Sequence, residues 1–178
     1  METGLSVAST SPLGWKLPRI SRSIGYCAGV LALSLCAFSA VGAVWGLLRP
    51  ELTGHAAKDG GYVLDTVDNV EFTSFITFTL ITGAMAMVLA LVTYVRAPRL
   101  HSAAMIYWLG VVALAATAAF YVIGGVTATH VPADPGEVVH FVPTFSPGVA
   151  WGVAPFLAMF SYWSALFINK ETEEVAPR

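Results

Sequence analysis

Apolar and polar positions alternate along this chain in long blocks. Residues 24–48, 72–95, 102–126 and 149–168 contain no Asp, Glu, Lys, Arg or His. At about 1.5 Å of rise per residue, each block forms a helix of roughly 30–37 Å, enough to cross a hydrocarbon core of about 30 Å. The pattern predicts an all-α polytopic membrane protein with four transmembrane helices in an antiparallel bundle. Polar segments at 1–23 and 169–178 are the expected cytoplasmic tails, and those at 49–71 and 127–148 the expected extracytoplasmic loops. A cleaved signal peptide is the competing reading of the first block, since Val41-Gly42-Ala43 would suit a cleavage site. Signal h-regions, however, run about 7–15 residues, and this block continues apolar through Leu48.

Charge adds a direction to this pattern. Lys16, Arg19, Arg22, Arg96, Arg99, Lys170 and Arg178 fall on one side of the expected bundle, and Arg49 and Lys58 on the other. Basic residues next to short loops stay in the cytoplasm. Both termini are therefore expected there, in a plasma-membrane protein. Trp and Tyr favour the boundary between water and hydrocarbon. Tyr26, Tyr94, Tyr107, Trp108, Tyr162 and Trp163 lie near the inner boundary on this reading, and Trp45, Phe72, Tyr121 and Trp151 near the outer one. Only 11% of the 178 residues are charged, against about a quarter in soluble domains. The net charge of −2, with no basic patch interleaved with aromatics, points away from nucleic acid.

Within the first block Gly25, Gly29, Ala32, Cys36, Ala40 and Ala43 recur at helical spacing on one face. Small residues let helix backbones approach closely in lipid, so this face is the expected helix-packing face. A dimer face, and hence a homo-oligomer, is the alternative. Gly25/Gly29 and Gly42/Gly46 both form GxxxG pairs. Cys27 and Cys36 lie about 13.5 Å apart along a helix and on opposite faces, which is too far to bridge. Thr73, Ser74, Thr77, Thr79 and Thr82 crowd the first half of the second block, where hydroxyls bond the i−4 carbonyl or a neighbouring helix; a pore lining would use the same residues. The short 96–101 connection predicts that spans two and three form an antiparallel hairpin, and alanines 113–119 predict a central position for span three. Pro155 removes a backbone donor opposite Trp151 and predicts a kink in span four.

Candidate chemistry is sparse. The apolar blocks hold no ionisable pair of the kind that marks a proton relay or ion path, and no His to hold haem. No Walker loop, HExxH, GxSxG or CxxC is present. The chain is therefore expected not to be an enzyme and to carry no cofactor. In the first outer loop Asp59-Gly60-Gly61 marks a turn, 62–64 reads as a short strand, and Asp65, Asp68 and Glu71 lack the ligand spacing of an EF-hand. The second outer loop carries His130, Asp134, Glu137 and His140, two imidazoles and two carboxylates that could ligate Zn²⁺ or Cu²⁺. Their spacing fits no established metal pattern, so they are weak metal candidates; His55 could join them.

The run Trp45-Gly-Leu-Leu-Arg-Pro50, the Asp59-Gly-Gly and Leu64-Asp65 of the first loop, Glu71-Phe72, Phe145-Ser-Pro, and Trp151 with Ala154-Pro155 together resemble a family of small four-span actinobacterial membrane proteins, a domain of unknown function. The resemblance covers roughly residues 29–167. It implies plasma-membrane residence among lipids and other integral membrane subunits, and it supplies no catalytic residues. The expected role is an accessory or structural subunit of a larger assembly, such as a respiratory supercomplex or cell-envelope machinery. A small transporter or channel component is the second reading, and a metal-binding outer-loop protein the third.

Overall fold

The computed structural model describes residues 22–49, 52–56, 62–64, 70–128, 138–141 and 146–175. Four helices form where the apolar blocks lie: α1 (Arg22–Leu47), α2 (Val70–Arg96), α3 (Ala103–Ala128) and α4 (Ala150–Val175). All four are long and apolar enough to cross a membrane, in α4 over Ala150–Asn169. The protein is thus a helical, multi-pass membrane protein. α4 continues past residue 168 to Val175, because the Lys170–Glu174 stretch is made largely of good helix formers that need no lipid. It also runs without interruption through Pro155.

Among the described residues three short strands lie between the helices: β1 (Leu52–Ala56), β2 (Tyr62–Leu64) and β3 (Val138–Phe141). They form one antiparallel sheet in the order β2-β1-β3. β1 and β2 pair antiparallel, with His55 opposite Val63, and the Asp59-Gly-Gly turn expected between them lies outside the described residues. β3 comes from the other outer loop and pairs with β1 from Leu52 opposite Phe141 to His55 opposite Val138. A lone hairpin is marginal in water. The third strand gives β1 a partner on both edges and ties the two loops together.

Close approaches define the helix order. Gly42 of α1 lies on Phe120 of α3 and Gly46 on Gly124, so α1 and α3 run parallel. Gly83 of α2 meets Val153 and Leu157 of α4, and Tyr94 meets Tyr162, so these two also run parallel. Gly110 of α3 meets Met159, and Tyr121 meets Trp151, which makes α3 and α4 antiparallel. The spatial order is α1–α3–α4–α2, and helices consecutive in the chain run in opposite directions. α2 and α3 touch only marginally. The antiparallel course expected of spans two and three holds across the short 3₁₀ turn at Pro98–Leu100, but the two helices pack mainly on other partners. α3 does lie between two neighbours, α1 and α4.

The core has three levels. At the loop-and-sheet end Phe38, Trp45, Phe78 and Phe120 are buried together, with Trp45 and Phe120 rings 5.3 Å apart and Phe78 and Phe120 5.6 Å apart. The waist is alanine: Ala86, Ala90, Ala113, Ala116, Ala154 and Ala158 are all fully buried. Met105, Leu109 and Tyr162 fill the hinge end. Lipid is as apolar as these side chains, so dispersion and shape, more than water exclusion, hold the helices together.

Candidate functional site

The residues singled out from sequence fall in four places. The first is the outward side of α1. Gly25, Gly29, Ala32, Cys36 and Ala40 are exposed and Ala43 is half-buried. A Cβ added at Gly25 or Gly29 would meet nothing within 4 Å. The expected packing face is therefore not the one α1 uses inside its own bundle. That face is Ser34, Phe38, Gly42, Trp45 and Gly46. The reason is steric. At Gly42 a Cβ would stand 2.6 Å from the Phe120 carbonyl oxygen and 2.8 Å from its Cα, and one at Gly46 would collide with Thr127 Oγ1 and the Gly124 carbonyl. Thr127 Oγ1 also donates to the Ala43 carbonyl at 3.1 Å. The second GxxxG pair, not the first, supplies the close contact. Cys27 is half-buried, Cys36 is exposed, and both are free thiols.

The second place is the outer end of the bundle. Trp45 Nε1 donates to Thr77 Oγ1 at 3.1 Å, across the narrow α1–α2 contact. The Arg49 guanidinium stands 5.1 Å from the Trp45 ring centroid, a cation–π distance. Burial pushes the Arg49 guanidinium below its ordinary value, and Tyr121 acts in the opposite direction; an arginine stays charged regardless. The threonines of α2 turn to backbone. Thr77 Oγ1 donates to the Thr73 carbonyl at 2.8 Å, Thr79 to Phe75 at 2.7 Å and Thr82 to Phe78 at 2.7 Å. Thr82 is fully buried.

The third is the hinge end, where the sequence shows an aromatic belt and a basic loop. His101 stacks on Tyr94 with centroids 4.4 Å apart and 5° between planes, and its Nε2 lies 3.1 Å from the Tyr94 carbonyl oxygen. Tyr162 meets both rings edge-on, at 5.7 and 6.2 Å. Its hydroxyl is buried with no hydrogen-bond partner among the described residues. The signal for this cluster was scattered over 68 positions of sequence, from Tyr94 to Tyr162, and only the parallel packing of α2 and α4 assembles it.

The fourth is the outer sheet. Register puts His140 opposite Thr53 and His55 opposite Val138. Two of the chain's loop histidines thus occupy adjacent strands, two positions apart. His130, Asp134 and Glu137 lie outside the described residues. Among the described residues no group of three or more His, Cys, Asp or Glu gathers as a metal site would require.

Among the described residues, apolar clefts open toward the surrounding medium between α1 and α3 at the hinge end, between α3 and α4 at the same end, and between α1 and α2 near Phe38. The clefts are lined by no Asp, Glu, Lys, Arg or His. Comparison with family models, with curated proteins and with solved structures found no match.

Proposed function

We propose that this chain is a non-catalytic accessory or structural subunit that packs against a larger plasma-membrane assembly. The observation that supports it is the strip of Gly25, Gly29, Ala32, Cys36 and Ala40, which is exposed on the outside of the bundle, with open space beside Gly25 and Gly29. A smooth strip of this kind gives a partner helix close access to backbone, the geometry that drives association in lipid. The apolar, aromatic-filled interior supports the same reading, because transport and intramembrane catalysis call for ionisable groups in the membrane. The actinobacterial resemblance suggests respiratory supercomplexes or envelope-building machinery as hosts, and the uneven distribution of Lys and Arg supports cytoplasmic termini.

Affinity purification of the tagged protein from its own membranes in mild detergent tests the proposal. Stoichiometric recovery of other integral membrane subunits is expected, and Gly29→Leu is expected to abolish it while the variant still accumulates and folds. Recovery of wild type as a free monomer would overturn the proposal. Recovery as a homo-oligomer would place a second copy on the strip in place of a host.

A further inference from the structure

The register of the outer sheet fixes which residues share a face. Directly opposed residues of antiparallel strands lie on the same face, and successive residues alternate. Leu52, Gly54 and Ala56 of β1, Tyr62 and Leu64 of β2, and Val139 and Phe141 of β3 therefore share one face. That face is apolar and aromatic. Thr53 and His55 of β1, Val63 of β2, and Val138 and His140 of β3 share the other. Both strand histidines thus fall on one face, together with Thr53.

His55 and His140 come from different loops but stand at diagonal positions, because His140 is opposite Thr53 and His55 opposite Val138. Diagonal neighbours are about 7–8 Å apart, within reach of aromatic side chains. β1 is paired on both edges, so a slip that would turn His55 to the apolar face has to break two ladders at once. Neutral imidazole is the commonest protein ligand for transition metals. Two imidazoles bound to one ion at about 2.0–2.1 Å each bring their nitrogens within about 4 Å of one another. The third and fourth protein ligands of a closed zinc site are not gathered here among the described residues. Hard cations such as Mg²⁺ and Ca²⁺ require several oxygen ligands. A pair of imidazoles on a sheet face instead offers a chelate to Zn²⁺ or Cu²⁺, with water on the remaining positions.

We propose that His55 and His140, brought to diagonal positions on one face of the outer sheet, bind one Zn²⁺ or Cu²⁺ ion in a site open to solvent. The ion clips β1 to β3, and with them the two loops, so that metal binding and sheet formation support each other. The site does not depend on His130, Asp134 or Glu137, which the sequence places near His140. It is also independent of the accessory-subunit reading.

Full-length protein with a tag that contains no histidine, stripped with chelator in mild detergent, would be titrated with Zn²⁺ by calorimetry. Loading with Cu²⁺ allows pulsed electron paramagnetic resonance to count the bound imidazoles. One ion per chain and two imidazoles are expected, undisturbed by a large excess of Mg²⁺. His55→Ala and His140→Ala should each leave at most one imidazole and weaken Zn²⁺ by at least the roughly 10- to 100-fold that loss of an outer-shell partner costs. His130→Ala should leave two. Val138→His adds a third imidazole on the same face, opposite His55, and is expected to tighten Zn²⁺ by about tenfold or more. Val139→His, on the other face, should not. A gain of this kind cannot come from a sheet that has failed to form. The proposal is overturned by any of five results: no stoichiometric ion in wild type, two imidazoles surviving either single change, a loss on His130→Ala, displacement by Mg²⁺, or failure of Val138→His to tighten Zn²⁺ beyond Val139→His.

Discussion

Gly42 and Gly29 stand on the same helix and lack the same Cβ, but their neighbours differ. Gly42 has the Phe120 backbone against it, and Gly29 has open space. Gly42→Ala forces two backbones apart, so a loss of about 1–3 kcal/mol is expected, read as a lower apparent melting temperature in detergent. Gly29→Ala removes only glycine's conformational cost and should be neutral or stabilising by up to about 1 kcal/mol. The same melting experiment checks both. Trp45→Phe keeps the ring beside Phe78 and Phe120 but deletes the donor to Thr77. A loss of about 0.5–1.5 kcal/mol is expected, and Thr77→Val in the same background should then cost less than it does alone. Both GxxxG pairs were legible in the sequence; which of them meets another helix was not, because a motif specifies closeness of approach and says nothing about the partner's position.

The elements divide by how much local signal each carries. The helices read out directly, since twenty or more uncharged apolar residues have few other stable states in lipid. The sheet was half legible. Residues 62–64 beside a Gly-Gly turn suggest a strand, but β3 lies 74 residues further on and pairs with β1, a contact no local pattern encodes. β1 is the central strand, so Gly54→Pro removes a donor from a position paired on both sides, opposite Leu64 and Val139. Limited proteolysis should then cut the outer segments severalfold faster, with the helical circular dichroism unchanged. Unaltered cleavage would mean that the sheet contributes nothing to protecting the loops. α2 shows the opposite economy at three positions: the hydroxyls of Thr77, Thr79 and Thr82 bond their own preceding turn, while Ser74 Oγ is buried with no hydrogen-bond partner among the described residues.

At the scale of the molecule, packing order departs from chain order. Parallel pairs α1–α3 and α2–α4 make close contacts, and α3 with α4 joins them. This arrangement leaves α1 with one side free, the side with the small-residue strip. It also leaves an aromatic row on α4, where Phe156, Phe160, Trp163 and Phe167 are all more than half exposed and stack along the helix. The accessory-subunit proposal predicts that Gly29→Leu and Ala32→Leu lose co-purifying subunits without lowering the melting temperature. A change of melting temperature with no loss of partners would show instead that the strip matters within the bundle.

The number of spans, their lengths, the lack of charge within them and the uneven distribution of Lys and Arg are properties of the sequence by itself. Each follows from the cost of placing individual residues in hydrocarbon, a quantity that sums locally along the chain. Which faces meet was decided by tertiary structure. In water, an amphipathic helix announces its buried side through the contrast of apolar and polar residues. Here α1 is apolar around its whole circumference, and lipid and protein interior look alike to it. Fit alone then separates Gly42 and Gly46, pressed on α3, from Gly25 and Gly29, turned outward. Fit likewise assembles His101, Tyr94 and Tyr162 at one end.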